Sequence, residues 1–330
     1  MTARTRTFRI AALGAAVVLA ATACSGGGRE KTDETDTSGG NAAGSSGYTI
    51  AFITHETPGD TFWDKVKNGA NQAAKDTGIT LKYSNDPEAP KQAVLIQNAV
   101  DSKVNGIATT LVTPDALAGA VKAATDAKIP VVGFNSGIND YQRLGALMYF
   151  GSDETLAGTE AGKRLAEQGT KHPLCVIQQT GSVALEARCA GVKSSVPGTE
   201  NIQVNGADDA AVTSTLQAKL AQDKSIDAIV TLGAPQALDA IKARQQSGSQ
   251  AKLVTFDLNE QAATEIKSGN ILFSIDQQPY VQGYMAVTSL YLNLKNGNDI
   301  GGGKAVLTGP SFVDSANIDK ILPFTKNNTR

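Results

Sequence analysis

Short apolar strands alternate with amphipathic helices along most of this 330-residue chain, and the alternation runs through two successive series. The first series predicts strands at 48–54, 79–84, 106–112 and 129–135, and the second at 173–179, 201–206, 227–233, 251–257 and 271–277. The predicted helices between them include 62–76, 91–102, 114–127, 156–167 and 183–195, and a short link begins at Tyr149. Such alternation is typical of parallel sheets covered by helices on both faces. The sequence therefore predicts an α/β fold with two doubly wound parallel-sheet lobes.

Polar and aromatic residues lie at the predicted carboxyl ends of these strands or directly beyond them. Open parallel sheets bind ligands at this edge, and two such edges facing each other form a cleft that hinge motion can close. Carboxylates accept hydroxyl protons, guanidinium groups donate in a fork, amides do both, and aromatic rings offer flat apolar faces. This combination indicates a ligand rich in hydroxyl groups, such as a sugar or sugar alcohol. The candidate ligand-binding residues are His55, Asp60, Phe62, Trp63, Asn135, Arg188, Asp257 and Gln277.

Each candidate also has a purely structural interpretation. Asp60 could serve only as the N-cap of the helix that follows it. Arg188 could be a solvated helix residue, and Asn135 could be a turn residue before Gly137. The binding hypothesis therefore depends on the joint placement of the candidates in one gap. Phe62 and Trp63 could be core residues at a helix start, and Asp257 and Gln277 could have structural roles.

The first residues resemble a bacterial lipoprotein signal. Three arginines precede an apolar run at 10–21, which suits a signal peptide and is short for a membrane-spanning helix. Small residues then precede Cys24, which resembles a lipobox and implies cleavage of residues 1–23 and lipid attachment to the Cys24 sulfur. The alternative is an ordinary secretory signal with a chance cysteine.

Residues 24–47 contain no apolar side chain larger than alanine after Cys24. Such a segment cannot bury enough apolar surface to offset the entropy lost on ordering, so we expect it to be disordered. Between a lipid anchor and a folded body it would act as a flexible tether. The alternative is a featureless disordered terminus.

Cys175 and Cys189 are the two cysteines beyond the lipobox. Cys175 lies near the start of a predicted strand, and Cys189 lies about two turns into the helix that runs back along it. The rise per residue in strands and helices brings the two cysteines level. We therefore predict a disulfide, the alternative being two buried free thiols.

Several segments carry a family resemblance through their order and spacing. They are TIAFITHETPGDTFWDKVKNGANQAA, GIATTLVTPDALAGAVKAA, IPVVGFNSG, GSDETLAG, ALEARCAGV, LVTFDLNE and SIDQQPYVQGYMAV. From Tyr48 to about Asp319 the chain resembles the type I periplasmic sugar-binding proteins of the ribose- and galactose-binding class. The resemblance implies a three-strand hinge near 150–152, 274–278 and 308–311. It divides the body into an N-terminal lobe, 48–150 plus 279–307, and a C-terminal lobe, 151–278 plus 308–330.

The same resemblance implies roles for individual residues. Asp60 stands where the family contacts a sugar hydroxyl, and Phe62 and Trp63 stand where paired aromatics sandwich the sugar ring. Asn135 takes the place of an aspartate after the fourth strand, and His55 occupies a small polar position after the first. The remaining matches to the family pocket are Arg188, Asp257 and Gln277.

Two departures from the family pattern argue against a plain ribose ligand. Ser136 replaces an arginine of the ribose proteins, and an asparagine is replaced near Gly233. A site that loses a polar partner for a hydroxyl can lose most of its selectivity for that ligand. We therefore expect a pentose or a C4–C5 polyol, and the segments DQQPYVQGY and FNSG resemble a subgroup that binds sugar alcohols such as xylitol or threitol.

The resemblance further implies an extracytoplasmic protein that delivers its ligand to the permease and ATPase subunits of an ABC transporter. Contact with the membrane would occur through the lipid anchor alone, and we expect the chain to be monomeric. A binding protein that serves a signalling receptor, or that captures an autoinducer, is the alternative. Gene neighbours of the permease type or the sensor-kinase type would distinguish the two.

Charge and composition disfavour other functions. The 30 basic and 32 acidic residues form no basic stripe, so nucleic acid is not an expected partner. The sequence has two histidines, no cluster with metal-ligand spacing and no complete nucleotide-binding or nucleophile motif. We therefore expect no catalytic residues, no metal and no cofactor.

Overall fold

The structure is a computed structural model that describes residues 44–330. The predicted signal peptide, Cys24 and most of the predicted tether lie outside the described residues. Among residues 44–330, no helix is both long enough and apolar enough to cross a membrane.

The strands and helices alternate along the whole described body. The strands are β1 (Thr49–Thr54), β2 (Thr80–Asn85), β3 (Gly106–Thr110), β4 (Val131–Phe134), β5 (Met148–Ser152), β6 (Pro173–Ile177), β7 (Glu200–Gln203), β8 (Ala228–Thr231), β9 (Lys252–Phe256), β10 (Phe273–Asp276), β11 (Val306–Gly309) and β12 (Ser311–Asp314). The helices are α1 (Phe62–Thr77), α2 (Ala89–Asp101), α3 (Pro114–Asp126), α4 (Tyr141–Leu144), α5 (Glu154–Glu167), α6 (Val183–Ser195), α7 (Asp209–Gln222), α8 (Ala234–Ser247), α9 (Glu260–Lys267), α10 (Pro279–Asn296) and α11 (Ile318–Lys326).

The strands form two six-stranded sheets. The first has the order β11-β5-β4-β3-β1-β2, and the second has the order β12-β10-β9-β8-β6-β7. All pairings in the first sheet are parallel. In the second sheet, β12 pairs antiparallel with β10 and the others are parallel. The predicted fold of two α/β lobes is confirmed.

Both faces of the inner strands of each sheet are buried, as in other parallel sheets, whereas the edge strands β2 and β7 are partly exposed. In β1, Ile50 and Phe52 belong to one apolar cluster, and Ala51 and Ile53 belong to another on the opposite face. The second sheet likewise separates two clusters. This two-sided burial explains why the strands read as continuous apolar runs rather than as alternating ones.

The predicted link at Tyr149 is instead a strand. Residues 148–152 form β5, which lies between β4 and β11 and is buried along its length. The aromatic pair Tyr149 and Phe150 fills both faces of the sheet at this point, each with 0% of its surface exposed. The prediction of a link was wrong because this segment pairs with β4 and β11 inside the first sheet. The connection between β4 and β5 contains one short helix, α4.

The chain changes sheets after β5, after β10, and between β11 and β12. Pairing in the first sheet continues to Ser152 and Gly309, which are partners. Each lies two residues beyond the predicted lobe limits of 150 and 307. Helix α10 packs on α1 of the first lobe, where a Cβ at Gly69 would lie 2.0 Å from the carbonyl oxygen of Tyr280. The remaining lobe limits stay a prediction.

Cys175 and Cys189 are joined by a disulfide, with 5.8 Å between their Cα atoms. Both side chains are buried in the cluster between the second sheet and helices α5 and α6. The bond ties β6 to α6, the helix that carries Arg188. The disulfide thus helps to fix the position of this candidate binding residue.

Candidate ligand-binding site

A cavity of about 670 Å³ lies between the two lobes, at the carboxyl ends of both sheets. The first lobe lines it from the segment that follows β1 and from the end of β4, and the second lobe lines it from the ends of β6, β8, β9 and β10. All eight candidate residues line this cavity: His55, Asp60, Phe62, Trp63, Asn135, Arg188, Asp257 and Gln277.

Two polar candidates sit where a strand ends in a left-handed residue. Asn135 after β4 has φ 64°, and Asp257 after β9 has φ 62°. Asn and Asp tolerate this region better than other residues that carry a Cβ. Each residue donates its backbone N–H to the neighbouring strand, Asn135 to Phe150 and Asp257 to Ile275, at 2.9 Å. Asn135 is therefore a turn residue, as its structural interpretation held, and its side chain also reaches the cavity.

An amide network connects the two lobes at the hinge. Asn135 Nδ2 donates to Gln277 Oε1 at 3.1 Å and to Gln282 Oε1 at 3.3 Å. Gln282 Nε2 in turn donates to Gln277 Oε1 at 2.9 Å. Gln277 Nε2 donates to Asp257 Oδ1 at 2.8 Å, so the network ends on the buried carboxylate. These bonds hold the side chains in fixed positions before any ligand arrives.

Arg188 is clamped inside the second lobe. Its Nε and Nη2 atoms donate to the two carboxylate oxygens of Glu154, at 2.6 and 3.1 Å, and its Nη1 donates to the carbonyl oxygen of Leu232 at 3.1 Å. The guanidinium carbon lies 4.5 Å from the centroid of the Phe256 ring, and Nη1 lies 3.8 Å from Asp257 Oδ2. Arg188 is 3% exposed, which excludes the interpretation as a solvated helix residue.

Asp257 lies beside this guanidinium with 6% of its surface exposed. Burial raises the pKa of Asp257 to about 7, against the opposing effects of the Arg188 charge and the hydrogen bond from Gln277. Its carboxylate oxygens are therefore strong acceptors that gain from any hydroxyl donor. Burial also raises the pKa of Asp60, opposed by the backbone hydrogen bond from Phe62.

The aromatic candidates form a corner rather than a sandwich. The Phe62 and Trp63 rings are 5.0 Å apart between centroids and meet at 86°. Two rings that bracket a sugar must be parallel and about 7 Å apart, twice a carbon contact distance. The sandwich implied by the family resemblance is therefore wrong for this pair. Both rings also pack in the core, so they are core residues that present one wall to the cavity.

His55 and Asp60 complete the first lobe's side. The His55 ring packs edge-on against Trp63, with 4.8 Å between centroids, and its Nδ1 lies 2.7 Å from Thr110 Oγ1. Burial lowers the pKa of His55 to about 3, so the imidazole is neutral at physiological pH. Asp60 Oδ1 accepts from the Phe62 N–H at 3.0 Å, and the N-cap of α1 is Thr61 rather than Asp60. Asp60 also lines the cavity.

Several residues of the second lobe were not predicted from the sequence. Glu154, the partner of Arg188, begins α5, and Gln236 lies in the first turn of α8. Gln178 follows β6 directly, and its place at a strand end was a usable signal. Ser136 is buried and does not line the cavity. The other lining polar residues that were missed include Gln179, Ser182, Asn205, Asp208 and Asp209.

A possible metal-binding group lies outside the cavity lining. Within residues 44–330, the ligand atoms of His172, Glu200 and Asp223 lie within 4.8 Å of one another. The fold brings them together from distant parts of the sequence, so metal-ligand spacing could not reveal them. The ammonium of Lys219 lies 2.8 Å from Glu200 and 3.6 Å from Asp223, so both carboxylates already have a cationic partner.

Comparison with known proteins agrees with this architecture. Residues 50–299 match the family model described as a periplasmic binding protein domain. The xylose/arabinose-binding protein XylF of Sulfolobus acidocaldarius is 26% identical over 306 residues, which cover 83% of this chain and 73% of that protein. The ribose import binding protein RbsB of Haemophilus influenzae is 25% identical over 252 residues, covering 73% of this chain and 82% of that protein.

A solved structure is more similar. It is a carbohydrate transporter from Acidothermus cellulolyticus 11B in complex with myo-inositol, 54% identical to this chain, with a TM-score of 0.85. The match covers 86% of this chain and 99% of the other. The family match, the two-lobed fold and the cavity between the lobes lead to one conclusion. The chain belongs to the type I periplasmic sugar-binding proteins of the ribose/galactose class, the solute-binding components of ABC transporters.

Proposed function

We propose that this protein captures a small, uncharged polyhydroxylated ligand between its lobes and delivers it to the permease and ATPase of an ABC importer. The observation that carries the proposal is the convergence of all eight candidate side chains on one cavity. They combine carboxylate, amide and guanidinium groups with an aromatic wall. That is the set of contacts that a small molecule with several hydroxyls and apolar C–H faces requires.

The charges around the cavity favour a neutral ligand. Arg188 is the one cationic side chain among the described lining residues, and its guanidinium is already bound by Glu154. The other charged groups in the lining are acidic and include Asp60, Asp208 and Asp257. A sugar phosphate or a uronate would meet these carboxylates without a free cation to bind it. A polyol supplies hydroxyl donors to the same oxygens.

A cyclic polyol is the leading candidate ligand. It is favoured by the 54% identity to the Acidothermus cellulolyticus protein, whose structure contains myo-inositol. A ring of this kind offers hydroxyls around its edge and C–H groups on its faces, which suits amides and carboxylates beside an aromatic wall. The alternative is a pentose or a C4–C5 polyol. The segments DQQPYVQGY and FNSG favour a sugar alcohol such as xylitol or threitol.

Thermal unfolding of the purified protein in the presence of candidate ligands tests the proposal. The panel contains myo-inositol, xylitol, threitol, D-ribose and D-glucose, with glucose 6-phosphate and glucuronate as anionic comparisons. A ligand at about 100 times its dissociation constant should raise the free energy of unfolding by about 2.7 kcal/mol. We expect the largest rise in melting temperature with myo-inositol and none with the anionic compounds.

Site variants complete this experiment. Asp257→Ala should remove the ligand-induced rise, whereas Asp101→Ala, at the exposed end of α2, should keep it. If none of the uncharged polyols raises the melting temperature, or if only the anionic compounds do so, the proposed ligand class is wrong. A full rise in Asp257→Ala would instead remove the pocket assignment.

The anchoring of the protein is a separate part of the proposal. The N-terminal sequence supports a signal peptide over 1–23, a lipid on Cys24 and a tether over 24–47, which together place the folded body outside the cytoplasm. Two or more acyl chains hold a soluble domain at a membrane durably. Cells that express the Cys24→Ser variant should release the protein from the membrane fraction. Retention in that fraction would contradict the lipid anchor.

Uptake also requires the lobes of one chain to close around the ligand. The chain passes between the two sheets three times, which supports a hinge at these crossings. The proposed lobe limits are the predicted ones, except that 150 becomes 152 and 307 becomes 309, where the sheet pairing ends. We expect gel filtration with light scattering to give one chain per particle, with and without ligand. A stable dimer would contradict the proposed monomer.

A further inference from the structure

Two glutamine side chains fill the space beside Gly233, directly beyond β8. A Cβ placed on Gly233 would lie 2.6 Å from Gln236 Oε1 and 3.1 Å from Gln178 Nε2. A side chain at position 233 therefore could not coexist with the two amides as they lie. This is the position near which the family resemblance places a lost asparagine. Two amides from neighbouring segments lie at this position instead.

A second glycine holds one of these amides in place. A Cβ on Gly206 would lie 2.8 Å from both the Cβ and the carbonyl oxygen of Gln178. Because the glycine has no Cβ, its N–H donates to that carbonyl oxygen at 3.1 Å. Gln236 Nε2 lies 3.5 Å from the Gly206 carbonyl oxygen, at the long limit of a hydrogen bond. The loop after β7 thus packs against both glutamines.

The two amides carry unused hydrogen-bonding capacity. Gln178 Oε1 is buried and accepts no hydrogen bond within the described part of the chain. Gln236 is 5% exposed, and its one side-chain hydrogen bond among residues 44–330 is the long one to Gly206. Buried polar atoms in folded proteins nearly always have partners, and exceptions point to a ligand or a bound water. Both residues line the cavity.

We propose that Gln178 and Gln236 bind hydroxyl groups of the ligand and determine which polyol the second lobe accepts. The inference rests on the proposed function, because it assigns contacts within the same cavity. Gln178 Oε1 requires a donor, which a hydroxyl supplies and an anionic oxygen does not. The two amides therefore favour ligands whose hydroxyls extend from the hinge side to the wall formed by the second lobe.

Methionine variants measure this contribution with little change in shape. Gln178→Met and Gln236→Met keep the length of the side chain and remove its hydrogen-bonding atoms. We expect each to raise the dissociation constant of myo-inositol about 10-fold by calorimetry, which corresponds to one lost hydrogen bond at the upper end of its net range. The melting temperature of ligand-free Gln178→Met should not fall, since Gln178 makes no side-chain hydrogen bond with any other of residues 44–330.

The matched control lies on the same helix as Gln236. Gln245 is exposed near the end of α8, so Gln245→Met should bind myo-inositol with the wild-type dissociation constant. Gly233→Ala tests the same pair without removing either amide. The added methyl should displace the ends of two flexible side chains, weaken binding in the same direction and leave the ligand-free melting temperature unchanged.

The outcomes separate this inference from the proposed function. If the wild type binds none of the polyols, both are overturned. If the wild type binds myo-inositol and both methionine variants bind it equally well, the assignment of Gln178 and Gln236 alone is overturned. A lower melting temperature in the ligand-free variants with unchanged affinity would also overturn that assignment, because it shows a structural role.

Discussion

Asp257 combines two features that lower the stability of the fold, a left-handed backbone and a buried carboxylate. It occupies a left-handed backbone conformation, with φ 62°, and its carboxylate is buried beside Arg188 and Gln277. Burial raises its pKa from 3.8 to about 7, in spite of the guanidinium and the amide donor. A hydroxyl donor from a ligand would stabilise the ionised form further. The residue is thus poised to ionise when it is bound rather than when it is free.

The raised pKa of Asp257 predicts a pH dependence of stability. Between pH 3.8 and about 7 the folded protein holds a proton on this residue that the unfolded chain has lost. This group therefore lowers the free energy of unfolding of the ligand-free protein as pH rises through that window. Asp257→Asn, which also tolerates the left-handed backbone, should remove this contribution. Urea unfolding at pH 5 and pH 7.5 would show a smaller fall in the variant than in the wild type.

Ligand affinity should change with pH in the opposite direction from the stability of the ligand-free protein. Because hydroxyl donors favour the ionised carboxylate, affinity for the polyol should increase from pH 5 to pH 8 and level off above the pKa of Asp257. Other carboxylates also contribute to the pH dependence of both proteins. The informative quantity is therefore the difference in pH dependence between wild type and Asp257→Asn. An identical pH dependence of unfolding in the two proteins would show that Asp257 does not titrate in this range.

Glu154 and Arg188 form a buried ion pair, and removing one partner should lower the free energy of unfolding. Each is 3% exposed, and two hydrogen bonds join them. Glu154→Gln removes the carboxylate that is hydrogen-bonded to the buried guanidinium and should cost about 3–5 kcal/mol of unfolding free energy. The double variant Glu154→Gln/Arg188→Met removes both charges and should be more stable than Glu154→Gln alone.

Denaturant unfolding of the single and double variants measures this coupling. The control is Lys122→Met, which breaks an exposed ion pair with Asp126 of 2.8 Å and should cost less than about 1 kcal/mol. If the losses of the two single variants simply add in the double variant, the two charges do not depend on each other and the positioning role of Glu154 is wrong.

Helix α6 begins with a contact between the lobes. The backbone N–H of Val183 donates to the carbonyl oxygen of Val112 in the first lobe at 3.3 Å. Val183 is the first residue of the helix, where the N–H has no acceptor within the helix, so this donor is free to serve the lobe contact. The bond can form only when the lobes are close together.

Val183→Pro removes this donor with little effect on the helix itself. Proline is favoured at the first position of a helix, and Ser182 before it has the extended backbone that a following proline requires. We expect the ligand dissociation constant to rise about 2–10-fold, the value of one hydrogen bond. The ligand-free melting temperature should stay the same or rise. Unchanged affinity by calorimetry would show that the contact does not contribute to closure.

Most of the regular elements and the position of the site followed from the sequence because both depend on local pattern, whereas β5 was wrongly predicted as a link. Apolar runs of strand length fixed the sheets, and parallel sheets place their carboxyl ends on one edge, so strand-end residues such as Asn135 and Asp257 met in one cavity. Even α2 was placed within two residues, since it begins at Ala89 rather than at 91. Pro90 fits in its first turn, where no N–H is needed.

The missed features depend on contacts between elements. Glu154 reaches Arg188 because α5 and α6 approach closely, as a Cβ at Gly158 would lie 2.0 Å from the Arg188 carbonyl oxygen. The perpendicular rings of Phe62 and Trp63 result from side-chain torsions, on which the sequence carries no signal. Gln236 was missed because it lies beyond a strand end, in a helix turn. Residue types at strand ends were predictable, whereas ring orientations and helix-to-helix approach were not.

At the scale of the whole molecule, three chain crossings join two similar lobes around a shared cavity. The two lobes differ in what they contribute. The first lobe supplies the aromatic corner of His55, Phe62 and Trp63, and the second supplies Arg188, Asp257 and further amides. A ligand must contact both sets to be bound fully. Binding energy is therefore available to hold the lobes together, which is how a ligand shifts a hinge equilibrium.

Trp63 offers a direct measurement of this closure. It is the single tryptophan of the chain, it is 3% exposed, and it lines the cavity from the first lobe. Binding of myo-inositol should change its fluorescence emission with the same midpoint that calorimetry gives. Small-angle X-ray scattering should show a smaller radius of gyration with ligand than without it, because the ligand-free lobes are free to separate. A fluorescence change without compaction would mean that the ligand binds without bringing the lobes together, and the proposed closure around the shared cavity would be wrong.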